Sequence, residues 1–274
     1  MVTLITDPSF DYNRTEEYKL SIQVSLDGFS FSVVQEKEAK LLAFEHLPIT
    51  ISSASFLGRR FSEWHESREL LQKQYAETQL FYSSENFTLV PAEFYEYEKQ
   101  EQLAKCNFGS KNEISVRDNY LPDVEANLIF SVPESLLEAF NNLFPGCSVN
   151  HPVSLFNQKI QEGYQQEDKE RLLALLFHKN TFSLLLYQKG QLTQINSFAY
   201  RHPDDVVFYT LSVFKSLHLS ASKTPLLLAG TINKENDVVN SLSEYFAKTS
   251  FLALPFQYNR DIFGNLLNPF TPLF

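Results

Sequence analysis

From Leu20 the chain reads as strand, strand, strand, helix, strand, helix, strand, and from Arg171 the same series begins again. A chance match is common for one element and rare for seven in order, so this recurrence constrains the fold more than any single motif. In the first series Leu20-Ser-Ile-Gln-Val-Ser-Leu26 alternates apolar and polar residues, the period of a strand with one face buried. Asp27-Gly28 follows, a dipeptide suited to a type I′ hairpin turn, and Phe29-Ser-Phe-Ser-Val33 resumes the alternation. Lys40 to Leu47 is a third strand, stopped by Pro48. From Ser55 to Leu80 the spacing of Leu57, Phe61, Trp64, Leu71 and Tyr75 predicts one helix. Asn127–Val132 then stands as the fourth strand. A helix runs from Pro133 to about Leu143, a strand from Cys147 to Asn150, and a further helix starts at Pro152.

The second series opens with strands Arg171–Phe177 and Thr181–Tyr187 around the turn His178-Lys179-Asn180, and a third strand covers Leu192–Phe198. Pro203 starts a helix with Val206, Val207, Thr210, Leu211, Phe214 and Leu217 along one face. Leu226-Leu-Leu228 is a continuous apolar strand of the kind buried on both faces. A helix over Glu235–Ala247 and a strand over Phe251–Leu254 complete it. The polar run Gln165–Glu170 is the natural boundary, giving halves 1–168 and 169–274. The surplus in the first half is residues 81–125, read as an insertion with a strand at Phe87–Val90 and an acidic helix from Pro91 through Ala104.

Charge narrows the class of function. The chain of 274 residues has a net charge of −10; residues 171–274 carry 9 basic and 6 acidic side chains, and residues 1–170 carry 14 and 27. Binding to nucleic acid or to an anionic membrane needs a basic footprint, which neither half provides. No window approaches the roughly 18 uninterrupted apolar residues of a membrane span. The start of the chain has no basic, then apolar, leader pattern, and two cysteines, Cys106 and Cys147, are too few for a disulfide framework. The expected setting is the cytoplasm.

Two successive β-β-β-α-β-α-β units, each an α/β ribonuclease-H-like half, make the topology of the actin-like ATPase fold. The whole chain resembles an uncharacterised bacterial domain-of-unknown-function family assigned that fold. The residues that carry the resemblance are Leu20-Ser-Ile-Gln-Val-Ser-Leu-Asp-Gly-Phe-Ser-Phe-Ser32, Phe87-Thr-Leu-Val-Pro91 and Ile129-Phe-Ser-Val-Pro133. It implies a nucleotide held between the halves, with an Asp-x-Gly turn after the first strand of each half. A Gly-Gly pair after the fourth strand of the second half would hold the adenosine. Here Asp27 and Gly28 are adjacent rather than spaced, His178-Lys179-Asn180 has neither Asp nor Gly, and Leu228-Ala229-Gly230-Thr231 keeps one glycine. Asp27, Gly28 and Gly230 are therefore the candidate nucleotide-site residues, in a site that reads as degenerate.

The remaining motifs have structural readings. Ser220-Ala-Ser-Lys223 matches the S-x-x-K pattern without its companion motifs and joins a helix to a strand. Asp204-Asp205 follows Pro203 at a helix start, where carboxylates complement the dipole. Six histidines form no HxxxH or HxH pair, and Cys147 with His151 supplies too few ligands for a metal. Asp261-Ile-Phe-Gly264 lacks the other kinase motifs. The C-terminal run from Leu266 brings Phe270, Leu273 and Phe274 into a short apolar tail, read either as covering a groove of the chain itself or as a contact for a protein partner or a second copy. Two readings follow: a non-catalytic protein working through protein contacts without a cofactor, or a Mg–ATP-dependent ATPase or kinase-like phosphotransferase. The second would require Asp27 to hold magnesium and Gly28 and Gly230 to approach the nucleotide.

Overall fold

The structure, a computed structural model, describes residues 3–109, 114–164, 170–253 and 256–267. The first half comprises β1 (Thr3–Thr6), β2 (Lys19–Ser25), β3 (Gly28–Gln35), β4 (Lys40–Pro48), α1 (Leu57–Glu66) and β5 (Glu77–Tyr82). It continues through β6 (Phe87–Pro91), α2 (Gln100–Phe108), β7 (Ile114–Leu121), β8 (Ala126–Pro133), α3 (Glu134–Leu143), β9 (Ser148–Asn150) and α4 (Pro152–Tyr164). The second half comprises β10 (Arg171–Phe177), β11 (Thr181–Gln188), β12 (Gln191–Ala199), α5 (Pro203–Ser216), β13 (Pro225–Gly230), α6 (Asp237–Ser243), β14 (Lys248–Phe251) and α7 (Arg260–Leu267).

Two large sheets follow one plan. The first has the order β1-β4-β3-β2-β5-β9 and the second β12-β11-β10-β13-β14. Antiparallel strands, four in the first sheet with β1 beside β4 and three in the second, lead into two parallel ones: β5 runs parallel to β2 and β9 to β5, as β13 does to β10 and β14 to β13. A third sheet, β6-β8-β7, is antiparallel and stands apart from both.

The cores explain the burial pattern. On one face of the first sheet Ile22, Phe29 and Phe31 meet Phe61 and Trp64 of α1 and Leu136 and Phe140 of α3. The Phe29 and Trp64 rings stack at 5.2 Å, and the Trp64 indole N–H donates to buried Glu45, which Arg68 pairs at 2.6 Å. Helices α1 and α3 cross at Gly58, where a Cβ would fall on the Ser135 carbonyl. The second sheet packs Leu173, Leu175 and Phe182 against Val206 and Phe214 of α5 and Val238 and Leu242 of α6.

The opposite faces are covered by exchange. Helix α4, the end of the first half, lays Val153, Phe156 and Ile160 on Leu172, Ala174, Leu176 and Leu227 of the second sheet. Helix α7, the end of the second half, brings Phe263, with Phe256, onto Leu41 and Phe44 of the first. The backbone around Gln257 also bonds to β4, its N–H to the Ala39 carbonyl and its carbonyl to the Leu41 N–H. This is why β10 and β13 read as unbroken apolar runs and β11 as one interrupted by buried Ser183: both faces are covered.

Four sequence expectations are corrected. The helix expected over Ser55–Leu80 ends at Glu66, and Glu77–Tyr82 is β5, the strand of the first sheet that lies parallel to β2. Ser67 closes α1 by donating its hydroxyl to the Trp64 carbonyl, and Arg68 takes an extended backbone to reach Glu45. Leu71 and Tyr75 keep helical spacing by chance while packing from a 3₁₀ turn and a loop. Strand β8 (Ala126–Pro133) accordingly belongs to the third sheet and is not the counterpart of β13. The extra elements β6 to β8 follow β5, the first strand after α1, rather than precede it. Residues Ala92–Lys99 form two 3₁₀ turns, with α2 starting only at Gln100. The last strand is β14, three residues earlier than the expected Phe251–Leu254, and α6 is correspondingly short.

Candidate functional site

The two hairpin turns that an actin-like phosphate site would use do come together. In the first, Ser25 pairs with Gly28, leaving Leu26 and Asp27 as the loop. Neither loop residue has positive φ, so the expected type I′ turn centred on Asp27-Gly28 is replaced by a turn one residue earlier. The Ser25 hydroxyl accepts the Asp27 N–H at 3.1 Å. The Leu26 and Asp27 carbonyls accept the N–H groups of Ile51 and Ile49. Gly28 has φ +140°, and a Cβ there would fall on the Leu47 carbonyl. Glycine is required at this position by the neighbouring strand β4.

Gly230 is explained in the same way. It ends β13 at φ +89°, facing Phe177 at the end of β10, and a Cβ would fall on the Phe177 carbonyl. The same carbonyl accepts the Thr231 N–H at 2.9 Å and the Thr231 hydroxyl at 3.3 Å. The space over both α-carbons is therefore taken by the protein's own backbone.

The second turn brings in a residue that sequence reasoning missed. Lys179 reaches across to the first turn, its Nζ 3.7 Å from Asp27 Oδ1 and 3.3 Å from Thr50 Oγ1. Where the resemblance implied two carboxylates around a metal, the structure pairs a carboxylate with an ammonium group. Tyr200 closes the same corner: its hydroxyl donates to the His178 carbonyl at 3.3 Å, and burial, then the Asp27 charge, raises its pKa. In sequence Lys179 was visible only as a non-acidic turn residue, because its partner lies about 150 positions earlier.

Behind the turns the polar groups are tied down. His151, 1% exposed, accepts the Val153 N–H on Nδ1 at 3.2 Å and donates Nε2–H to the Ser84 carbonyl at 2.9 Å, which sets the neutral tautomer. Burial, partly offset by that carbonyl, pushes its pKa down to about 3; burial pushes His178 down to about 4. The Ser84 and Ser131 hydroxyls bond each other at 3.1 Å, and the rings of Phe87 and Phe130 flank the imidazole at 4.6 and 5.3 Å. Neutral and held at both nitrogens, His151 fastens the start of α4 to the segment just after β5. Among the described residues no group of three His, Cys, Asp or Glu side chains is placed to hold a metal.

The other sequence candidates fall where local chemistry sends them. Asp205 accepts the N–H groups of Arg201 and His202, and His202 Nδ1 accepts that of Asp204, a capping box at the start of α5. Ser220-Ala-Ser-Lys223 is a connector containing a 3₁₀ turn. Phe270, Leu273 and Phe274 lie outside the described residues.

Known proteins place this geometry. No curated protein matches the chain. A Bacteroides thetaiotaomicron protein with actin-like ATPase fold and unknown function superposes with a TM-score of 0.78 at 23% identity, covering 92% of this chain and 96% of that one. A chain of the PilM–PilN type IV pilus biogenesis complex superposes with a TM-score of 0.58 at 10% identity, covering 92% and 94%. The fold is the actin-like ATPase fold. The model of a family described as a protein of unknown function, DUF3822, matches residues 7–249, and the chain belongs to that family.

Proposed function

We propose that the protein is a non-catalytic member of the actin-like fold that acts through contacts with other proteins, and that the cleft between its turns does not serve Mg–ATP. The observation that carries this reading is the Asp27–Lys179 pair, which neutralises the one carboxylate available at the first turn. The filled space over Gly28 and Gly230 supports it, since a phosphate needs those backbone faces open. A further support is that a protein of the same fold stands in a PilM–PilN complex, an assembly of two proteins. A cytoplasmic setting suits the two free thiols, exposed Cys106 and half-buried Cys147.

Calorimetry with Mg–ATP and Mg–ADP tests the reading. The expected result is no heat at millimolar nucleotide. Micromolar binding, about −8 kcal/mol, overturns it and makes Asp27→Asn the next variant, since an ATPase using this carboxylate would lose nucleotide affinity and turnover with it.

A further inference from the structure

The unit inserted between β5 and α3 carries a surface that the two-sheet plan does not need. Residues 83–133 hold nine acidic and four basic side chains, a net charge of −5. From Ala92 to Lys99 nearly every residue is exposed, with Phe94 at 68% and Tyr97 at 65%. Tyr95 between them turns inward toward Val90, Ala104, Val116 and Ile129 and anchors the ridge, its hydroxyl beside Asp118. Large aromatic side chains left this open in water are a cost unless something covers them.

Asp118 is also where the ridge meets a groove. A cavity of about 680 Å³ is bounded by the end of β7, the turn after it, the β5–β9 edge and α4. Asp118, Tyr120, Asp123 and Glu162 line it, together with a row of amides and hydroxyls, and none of its lining residues is Lys or Arg. Tyr120 is 54% exposed. Among the described residues Asp123 accepts hydrogen bonds from neutral amides alone, those of Asn157 and Gln161, at 2.8 and 2.9 Å. Among the described residues neither Asp118 nor Asp123 has an ion-pair partner.

We infer that ridge and groove together bind an extended basic segment of a partner protein, with Arg or Lys side chains entering the groove toward Asp118 and Asp123 and stacking on Phe94, Tyr97 and Tyr120. The inference rests on the protein-contact reading above and names the partner's chemistry. Carboxylates without an ion-pair partner beside open aromatic faces suit guanidinium groups, which stack and donate paired hydrogen bonds at once. A small amine would use the groove and leave Phe94 and Tyr97 without a role. A chain uses both.

The test is fluorescence anisotropy with a labelled 15-residue peptide of alternating Arg and Ser, beside its Glu–Ser counterpart. Two double variants are compared with the unaltered protein: Asp118→Asn with Tyr97→Ala on the proposed surface, and Glu38→Gln with Glu69→Gln away from it. Thermal melts check that all fold alike. The expected result is binding of the Arg peptide only, weakened at least tenfold by the first pair and less than twofold by the second. Equal weakening by both pairs, binding of the Glu peptide, or no binding of the Arg peptide at millimolar concentration overturns the inference. A failure here leaves the nucleotide calorimetry untouched, so the two readings fall separately.

Discussion

The two halves share a strand order but not a hairpin turn. The first turn is acidic, contains a glycine and is tied by its carbonyls to the segment after β4; the second is basic, has no glycine and reaches outward through Lys179. Equal turns facing a cleft would both serve a shared ligand. Unequal turns of opposite charge pair with each other, and the comparison teaches that a shared strand order does not carry a shared turn chemistry.

The strongest way to break this comparison is at the glycines. Gly28→Ala and Gly230→Ala should each destabilise the nucleotide-free protein by about 3 kcal/mol or more, because positive φ and a backbone collision act together. Gly190→Ala, at φ +78° with open space around it, should cost only about 1 kcal/mol. Urea unfolding without nucleotide measures all three. Glycines kept for phosphate access would show small losses at Gly28 and Gly230, and the structural account would be wrong.

Next comes pH. His151 and His178 have folded pKa values below the ordinary histidine value near 6.5, so the unfolded chain binds more protons. Stability is full above about pH 6.5 and falls as the pH drops toward 4, by up to roughly 1.4 kcal/mol per pH unit for each histidine. His151→Phe should lower stability at pH 7 by about 1–3 kcal/mol, since the Ser84 carbonyl and Val153 N–H lose their partner, and should flatten the acid limb. Melts at pH 7 and pH 5 compare the slopes, and an unchanged slope removes His151 from the account.

The smallest effect is the pair itself. Both side chains are partly exposed and 3.7 Å apart, so Lys179→Met should cost under about 1 kcal/mol in a urea titration. The charge-reversed double variant, Asp27→Lys with Lys179→Asp, should recover part of what Asp27→Lys alone loses. Strict additivity would mean that the turns do not interact.

Much of this was legible in the residues. The β2–β3 hairpin showed in the alternation of Leu20–Val33, and β10, β11 and β13 in their apolar runs. Strand β5 was hidden because Leu71 and Tyr75 extend the period of α1 across a break made by Ser67 and Arg68, whose reason is the distant Glu45. At the site, sequence showed that the second turn lacked Asp and Gly but not what Lys179 would touch. Nor could it show what lies over a glycine's α-carbon: at Gly28 and Gly230 the neighbour is a carbonyl from another strand.

The exchanged helices bear on how the chain is made. The ribosome releases α4 before any strand of the second sheet exists, so Val153, Phe156 and Ile160 wait in the nascent chain for their partners. Leu41 and Phe44 wait longer still, because α7 emerges only after β14 of the second sheet. The first half can form its β2–β3 hairpin early, yet one of its faces stays wet until α7 has been made. Completion of each half is thereby tied to the synthesis of the other.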